Sequence, residues 1–131
     1  MKIWWMSSIV WATALAATAA SAGDLSRSVP AGQTTKLDHY TGWKDDCSFL
    51  EIAVTVLTKP AHGEVSHRIA NGVIPADAKL GASGSCAGKP TKVLELYYRP
   101  ARGFHGADRL SVEMTDGSTR STTFTYEIDV Q

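Results

Sequence analysis

Apolar and polar side chains alternate one by one along much of this chain, and after residue 22 no apolar stripe recurs at helical spacing over the length of a helix. From Thr122 to Gln131, Phe124, Tyr126, Ile128 and Val130 share one face, against Thr123, Thr125, Glu127 and Asp129. Arg109 to Thr115 sets Leu110, Val112 and Met114 inward, and Val93 to Arg99 does so with Leu94, Leu96 and Tyr98. Glu51 to Thr58 groups Ile52, Val54 and Val56; Glu64 to Ile69 groups Val65, His67 and Ile69. A weaker strand lies around Thr34 to Tyr40. Turn residues separate these runs, Lys59 to Gly63 and Asp116-Gly117 among them. Six short alternating strands with frequent turns predict an all-β fold, a β-sandwich.

The first 22 residues stand apart. Met1-Lys2 is a short basic start, Ile3 to Ala20 is uncharged, and Ala20-Ser21-Ala22 is a small-x-small pattern. That layout predicts a signal peptide over 1–22 and a single mature domain over 23–131, exported to the periplasm or cell exterior. Ile3 to Ala22 also approaches membrane-spanning length, so a retained anchor is the alternative. The Ala, Ser and Thr of its second half gain little in lipid, which favours cleavage and no stable membrane insertion afterwards. The whole chain of 131 residues carries 13 basic and 13 acidic side chains, so no basic field speaks for nucleic acid.

Two cysteines in an exported chain predict one disulfide, Cys47–Cys86. Closing a loop of roughly 40 residues gives about 4 kcal/mol by chain entropy. Gly84-Ser85-Cys86-Ala87-Gly88 also has the G-x-C-x-G form of a nucleophile elbow, but Gly88 and Pro90 oppose the helix such an elbow needs. Ala70 to Lys92 reads as one long loop, with four glycines, two prolines and Cys86. Loops of that length are commonly functional, so partner contact is placed there, on the Asn71 to Ala78 stretch with Asn71 named first, and at Lys79, Lys89 and Lys92; the alternative is a tolerated insertion with no role.

Lys59-Pro60-Ala61-His62-Gly63-Glu64-Val65 resembles the P-x-H/N-G-x-V turn of bacterial immunoglobulin-like and cadherin-like repeats. Tyr98-Arg99-Pro100-Ala101-Arg102-Gly103-Phe104-His105-Gly106-Ala107-Asp108 is similar to their Y-x-P-x-x-G-F-x-G-x-D segment. The resemblance runs roughly from Val29 to Val130 and implies an extracellular immunoglobulin-like antiparallel β-sandwich of about six to seven strands, serving as a spacer or binding module, here as a lone exported domain. The residues give reasons of their own. Pro100 ends a strand, Gly103 and Gly106 admit positive φ so that Phe104 folds inward and is buried, and Asp108 accepts backbone N–H bonds from an exposed loop position.

Chemistry is sparse. The histidines of the mature part, His39, His62, His67 and His105, lack ligand spacing, so no metal and no cofactor is expected. Glu51, Glu64, Glu95, Glu113 and Glu127 read as solvated outward carboxylates. Trp43 reads as a plug at one end of the core, or else as an aromatic patch with Tyr40 and Tyr97. The expectation is a non-catalytic structural or binding module whose partner is another protein or a cell-envelope component. The alternative is a small periplasmic metal-binding or hydrolytic protein using histidines or Cys86.

Overall fold

A computed structural model of the chain describes residues 24–76, 86–116 and 120–131. Residues 1–22, expected from sequence to be a signal peptide, lie outside the described residues, as do Lys79, Gly81, Gly84 and Gly117. Seven strands form among those described: β1 (Asp24–Val29), β2 (Thr35–Tyr40), β3 (Ala53–Thr58), β4 (Gly63–Val73), β5 (Pro90–Pro100), β6 (Gly106–Thr115) and β7 (Ser121–Val130). They make a four-stranded sheet in the order β1-β7-β6-β3 and a three-stranded sheet in the order β2-β5-β4. The fold is all-β, a two-sheet sandwich with one disulfide, Cys47–Cys86. Every pairing is antiparallel except β1 with β7, which run parallel from Asp24↔Thr125 to Val29↔Val130.

The alternating residues supply the core. Leu94, Leu96 and Tyr98 of β5 meet Leu110, Val112 and Met114 of β6 and Tyr126, Ile128 and Val130 of β7, all buried. Burying each such side chain stabilises the fold by about 1.5–3 kcal/mol. Prolines at both ends of the central strand β5 are tolerated for a geometric reason. Its pairing with β2 spans only Leu94 to Tyr98, so Pro90 and Pro100 fall beyond the rungs that need a donor. Gly63 is dictated by close approach: a Cβ there would lie 2.5 Å from Cε2 of the buried Tyr98 ring and 2.6 Å from the Arg99 carbonyl oxygen. Gly63→Ala is therefore expected to cost about 3 kcal/mol, read as a lower thermal midpoint. An unchanged midpoint would show that the Tyr98 ring moves aside freely.

The structure corrects several sequence expectations. β1 escapes the alternation because Arg27 occupies its inward row between Leu25 and Val29. Arg27 earns that place by bonding across the two sheets: its Nε donates to the Leu37 carbonyl at 2.8 Å and its Nη2 meets Asp38 at 2.9 Å. The long loop is shorter than expected, since β4 continues to Val73 and β5 begins at Pro90, paired rung by rung. Asn71 and Lys92 are thus strand partners, not loop residues. Glu95 is not a solvated carboxylate but is 9% exposed in the outer face of the three-stranded sheet. Asp108 is not on an exposed loop but is buried in β6. Phe104 is half-buried rather than buried, packed against the rim of the core. Trp43 is half-buried and bridged to Phe49 outside the core cluster.

Candidate interaction surface

The two cysteines tie together the β2–β3 and β4–β5 connections at one end of the sandwich. Cys47 closes a tight turn, its N–H donating to the Lys44 carbonyl at 2.9 Å, with φ of 65°. That left-handed conformation is disfavoured for a side chain with a Cβ, so the turn and the covalent bond hold it jointly. Cys86 is fully buried. Beside it Ile74, also fully buried, donates its N–H to the Lys89 carbonyl at 2.9 Å and accepts from the Gly88 N–H at 2.8 Å. Gly88 has φ of 76°, which glycine adopts without strain.

Exposed side chains project from this fixed base. Lys92 donates from Nζ to the Oδ1 of Asn71, its partner across the ladder. Val73 is 61% exposed, and Lys89 is exposed one rung beyond the Val73↔Pro90 pair. Of the four contact residues expected from sequence, Asn71, Lys89 and Lys92 share this end of the β4–β5 hairpin, and Lys79 lies outside the described residues. Val73 lies within the Asn71 to Ala78 stretch expected to make contact, and the structure sets it at the end of β4 rather than in a loop. Alongside runs a cleft of about 650 Å³ between the sheets, lined by Phe49, Ile52, Val54, His67, Ile69 and Leu94 among others. His67 and Ile69 share one face as expected; that face looks onto this open cleft, so both are exposed and Ile69 is 49% accessible.

At the other end, the motif residues converge on Asp108. Its carboxylate accepts from the N–H of Ala61 at 2.9 Å, of His62 at 3.0 Å and of Arg109 at 2.9 Å, and from the Tyr98 hydroxyl at 2.7 Å. Burial by itself would raise the pKa, but the Tyr98 hydroxyl and the three N–H groups outweigh it and hold the carboxyl below the usual aspartate range. Burial and the same contact push the Tyr98 phenol up. Gly103 (φ 79°) and Gly106 (φ 124°) let the intervening turn lay Phe104 on His62, rings 4.1 Å apart and 9° from parallel. With four donors on a buried carboxylate, Asp108 has nothing left to offer a substrate or an ion. It is a clasp between the turn before β4 and the start of β6.

Glu95 forms a third polar cluster. It accepts from Arg68 Nε at 2.8 Å and from the Tyr97 hydroxyl at 2.6 Å, with Lys36 Nζ at 3.4 Å. The Tyr97 hydroxyl first, then Arg68 and Lys36, lower its pKa to about 2 against the opposing effect of burial. Tyr40, Trp43 and Tyr97 form no common patch: Tyr40 packs inward on Phe124, while Tyr97 bonds Glu95 on the outer face of the same sheet. Among the described residues, no group of three or more His, Cys, Asp or Glu side chains gathers where an ion could be held. The Cys86 sulfur is engaged in the disulfide, so it is no nucleophile while that bond stands. No protein-family model matches the sequence, and no curated protein matches it significantly.

Proposed function

We propose that this chain is an exported, non-catalytic β-sandwich module that binds another protein or a cell-envelope component through the disulfide-held end of its β4–β5 hairpin. One observation carries the reading: Asn71, Val73, Lys89 and Lys92 stand exposed on a hairpin whose base is fixed by Cys47–Cys86 and by the buried Ile74. Contact residues held on a rigid frame lose little conformational entropy when they bind. The disulfide speaks for an oxidising compartment, in keeping with the leader-like first 22 residues. Kinship with bacterial immunoglobulin-like and cadherin-like domains is supported by the way Gly63, Tyr98, Pro100, Gly103, Phe104, Gly106 and Asp108 serve one clasp, with Pro60 opening its turn.

Export is tested by sequencing the N-terminus of the protein recovered outside the cytoplasm, which should begin at Gly23; Met1 on that material would refute cleavage. Binding is tested with a photo-crosslinking residue at Val73 in exporting cells. A discrete adduct with a different molecule is expected there, and none with the same group at Thr123, exposed in the other sheet. Adducts at Thr123 alone would move the contact off the hairpin.

A further inference from the structure

The three-stranded sheet ends in β4, an edge strand of 11 residues. Its ladder phase follows from two bonds that flank it. The Ala101 N–H donates to the His62 carbonyl at 2.7 Å, and the Ile74 N–H donates to the Lys89 carbonyl at 2.9 Å. Both lie in register with the β4–β5 pairs, so even-numbered residues of β4 bond β5. The odd-numbered residues Gly63, Val65, His67, Ile69, Asn71 and Val73 therefore direct N–H and C=O toward the open edge. Several usual protections of such an edge are missing: β4 has no proline and no lysine, and its register with β5 is unbroken. The guanidinium of Arg68 is drawn onto Glu95.

We propose that a second copy of this chain covers the edge, the two β4 strands pairing antiparallel about a two-fold axis at Ser66 to join both three-stranded sheets into one. Two independent complementarities select this occupant and this register. Glu64 comes opposite Arg68 of the other copy, twice by symmetry. The Arg68 side chain is 67% exposed, bonds Glu95 through Nε and lies 5.1 Å over the Tyr97 ring, so its exposed guanidinium is a fixed charge within reach of Glu64 across the edge. On the other face of the ribbon, Ile69 of one copy comes opposite Gly63 of the other, where there is no Cβ in the way. Beside Gly63 lies a cleft of about 360 Å³ lined by Val56, Lys59, Pro60, Glu64 and Val65, which takes the exposed Ile69 side chain. Neighbouring registers lose the match. An axis at His67 sets Glu64 against Ala70, and one at Arg68 sets two arginines against each other. The overlap ends at Ile69, so Asn71, Val73, Lys89 and Lys92 stay outside it. This inference does not rest on the binding reading given above.

The exported, oxidised protein tests it by sedimentation and by cross-linking. A concentration-dependent dimer is expected. Ser66→Cys should form an intermolecular disulfide on mild oxidation, because a non-hydrogen-bonded antiparallel pair sets Cα atoms about 4.5 Å apart. Ala70→Cys, offset from its own copy by eight residues in this register, should not. Glu64→Lys should raise the dimer dissociation constant at least about tenfold, since it sets lysine against arginine at both ends. A monomer at high concentration with no faster cross-linking at Ser66→Cys than at Ala70→Cys overturns the proposal. So does a dimer indifferent to Glu64→Lys, or a monomer whose β4 edge takes up another protein's strand. The Val73 adduct is a separate readout, so either idea fails without the other.

Discussion

Asp108→Ala is expected to melt about 15 °C below the unaltered protein. The substitution strips the acceptor from three backbone N–H groups and from the buried Tyr98 hydroxyl. Unmet buried donors cost about 1–3 kcal/mol each at most, and losing the charged partner of a buried cluster costs about 3–5 kcal/mol in all. At roughly 4 °C per kcal/mol for a domain near this size, the midpoint shift follows. Tyr98→Phe removes a single donor and should cost only about 1–1.5 kcal/mol, which separates the clasp from general core damage. Thermal melts of both variants decide; equal losses would mean that the backbone donors contribute nothing.

The acid limb of stability has the same origin. Asp108 and Glu95 titrate lower in the folded state than when unfolded. Their contribution is complete above the ordinary carboxylate values and is lost as pH falls through the folded ones. For Glu95 the window runs from 4.5 down to about 2.

The joint variant Cys47→Ser/Cys86→Ala should lose about 4 kcal/mol for a separation of 39 residues. Most small domains hold only 5–15 kcal/mol in total. The closed loop contains all of β3 and β4, so both edge strands next to the cleft lose their shared tether. Cys47 also loses the bond that helps hold its left-handed turn. Alanine at position 86 avoids placing an unmet hydroxyl where exposure is zero. Chemical denaturation of the variant, and intact mass two hydrogens short for the native chain, check both halves. Two thiols that react freely in unreduced protein would refute the bond.

Strand positions were legible wherever one face is buried and the other wet. Leu110, Val112 and Met114 alternate cleanly against polar neighbours, and the structure buries all three. The cysteine pair was legible by its count alone. What escaped did so where polar groups are satisfied by residues distant in sequence. Arg27 broke the pattern of β1 because its partner Asp38 lies in another strand. Glu95 read as surface because Lys36 and Arg68, on the strands flanking it, are invisible to local periodicity. Asp108 was read as a backbone acceptor, but its donors at Ala61 and His62 come from 47 and 46 residues away. At the candidate surface, glycine and proline density concealed that Asn71 and Lys92 are paired in a ladder. Of the expected contact residues, the described ones named singly, Asn71, Lys89 and Lys92, nevertheless lie at one end of it.

The parallel pairing of β1 with β7 has a mechanical consequence. The chain enters the sandwich at Asp24 and leaves it at Val130, at opposite ends of one ladder. Tension applied through the two ends therefore acts along that ladder. All six rungs from Asp24↔Thr125 to Val29↔Val130 are loaded in shear at once, whereas strands pulled from the same end would unzip one rung at a time. Forced opening is governed by the unfolding barrier rather than by equilibrium stability. A sandwich closed by its first and last strands in this way resists extension along that ladder more than its core burial would by itself.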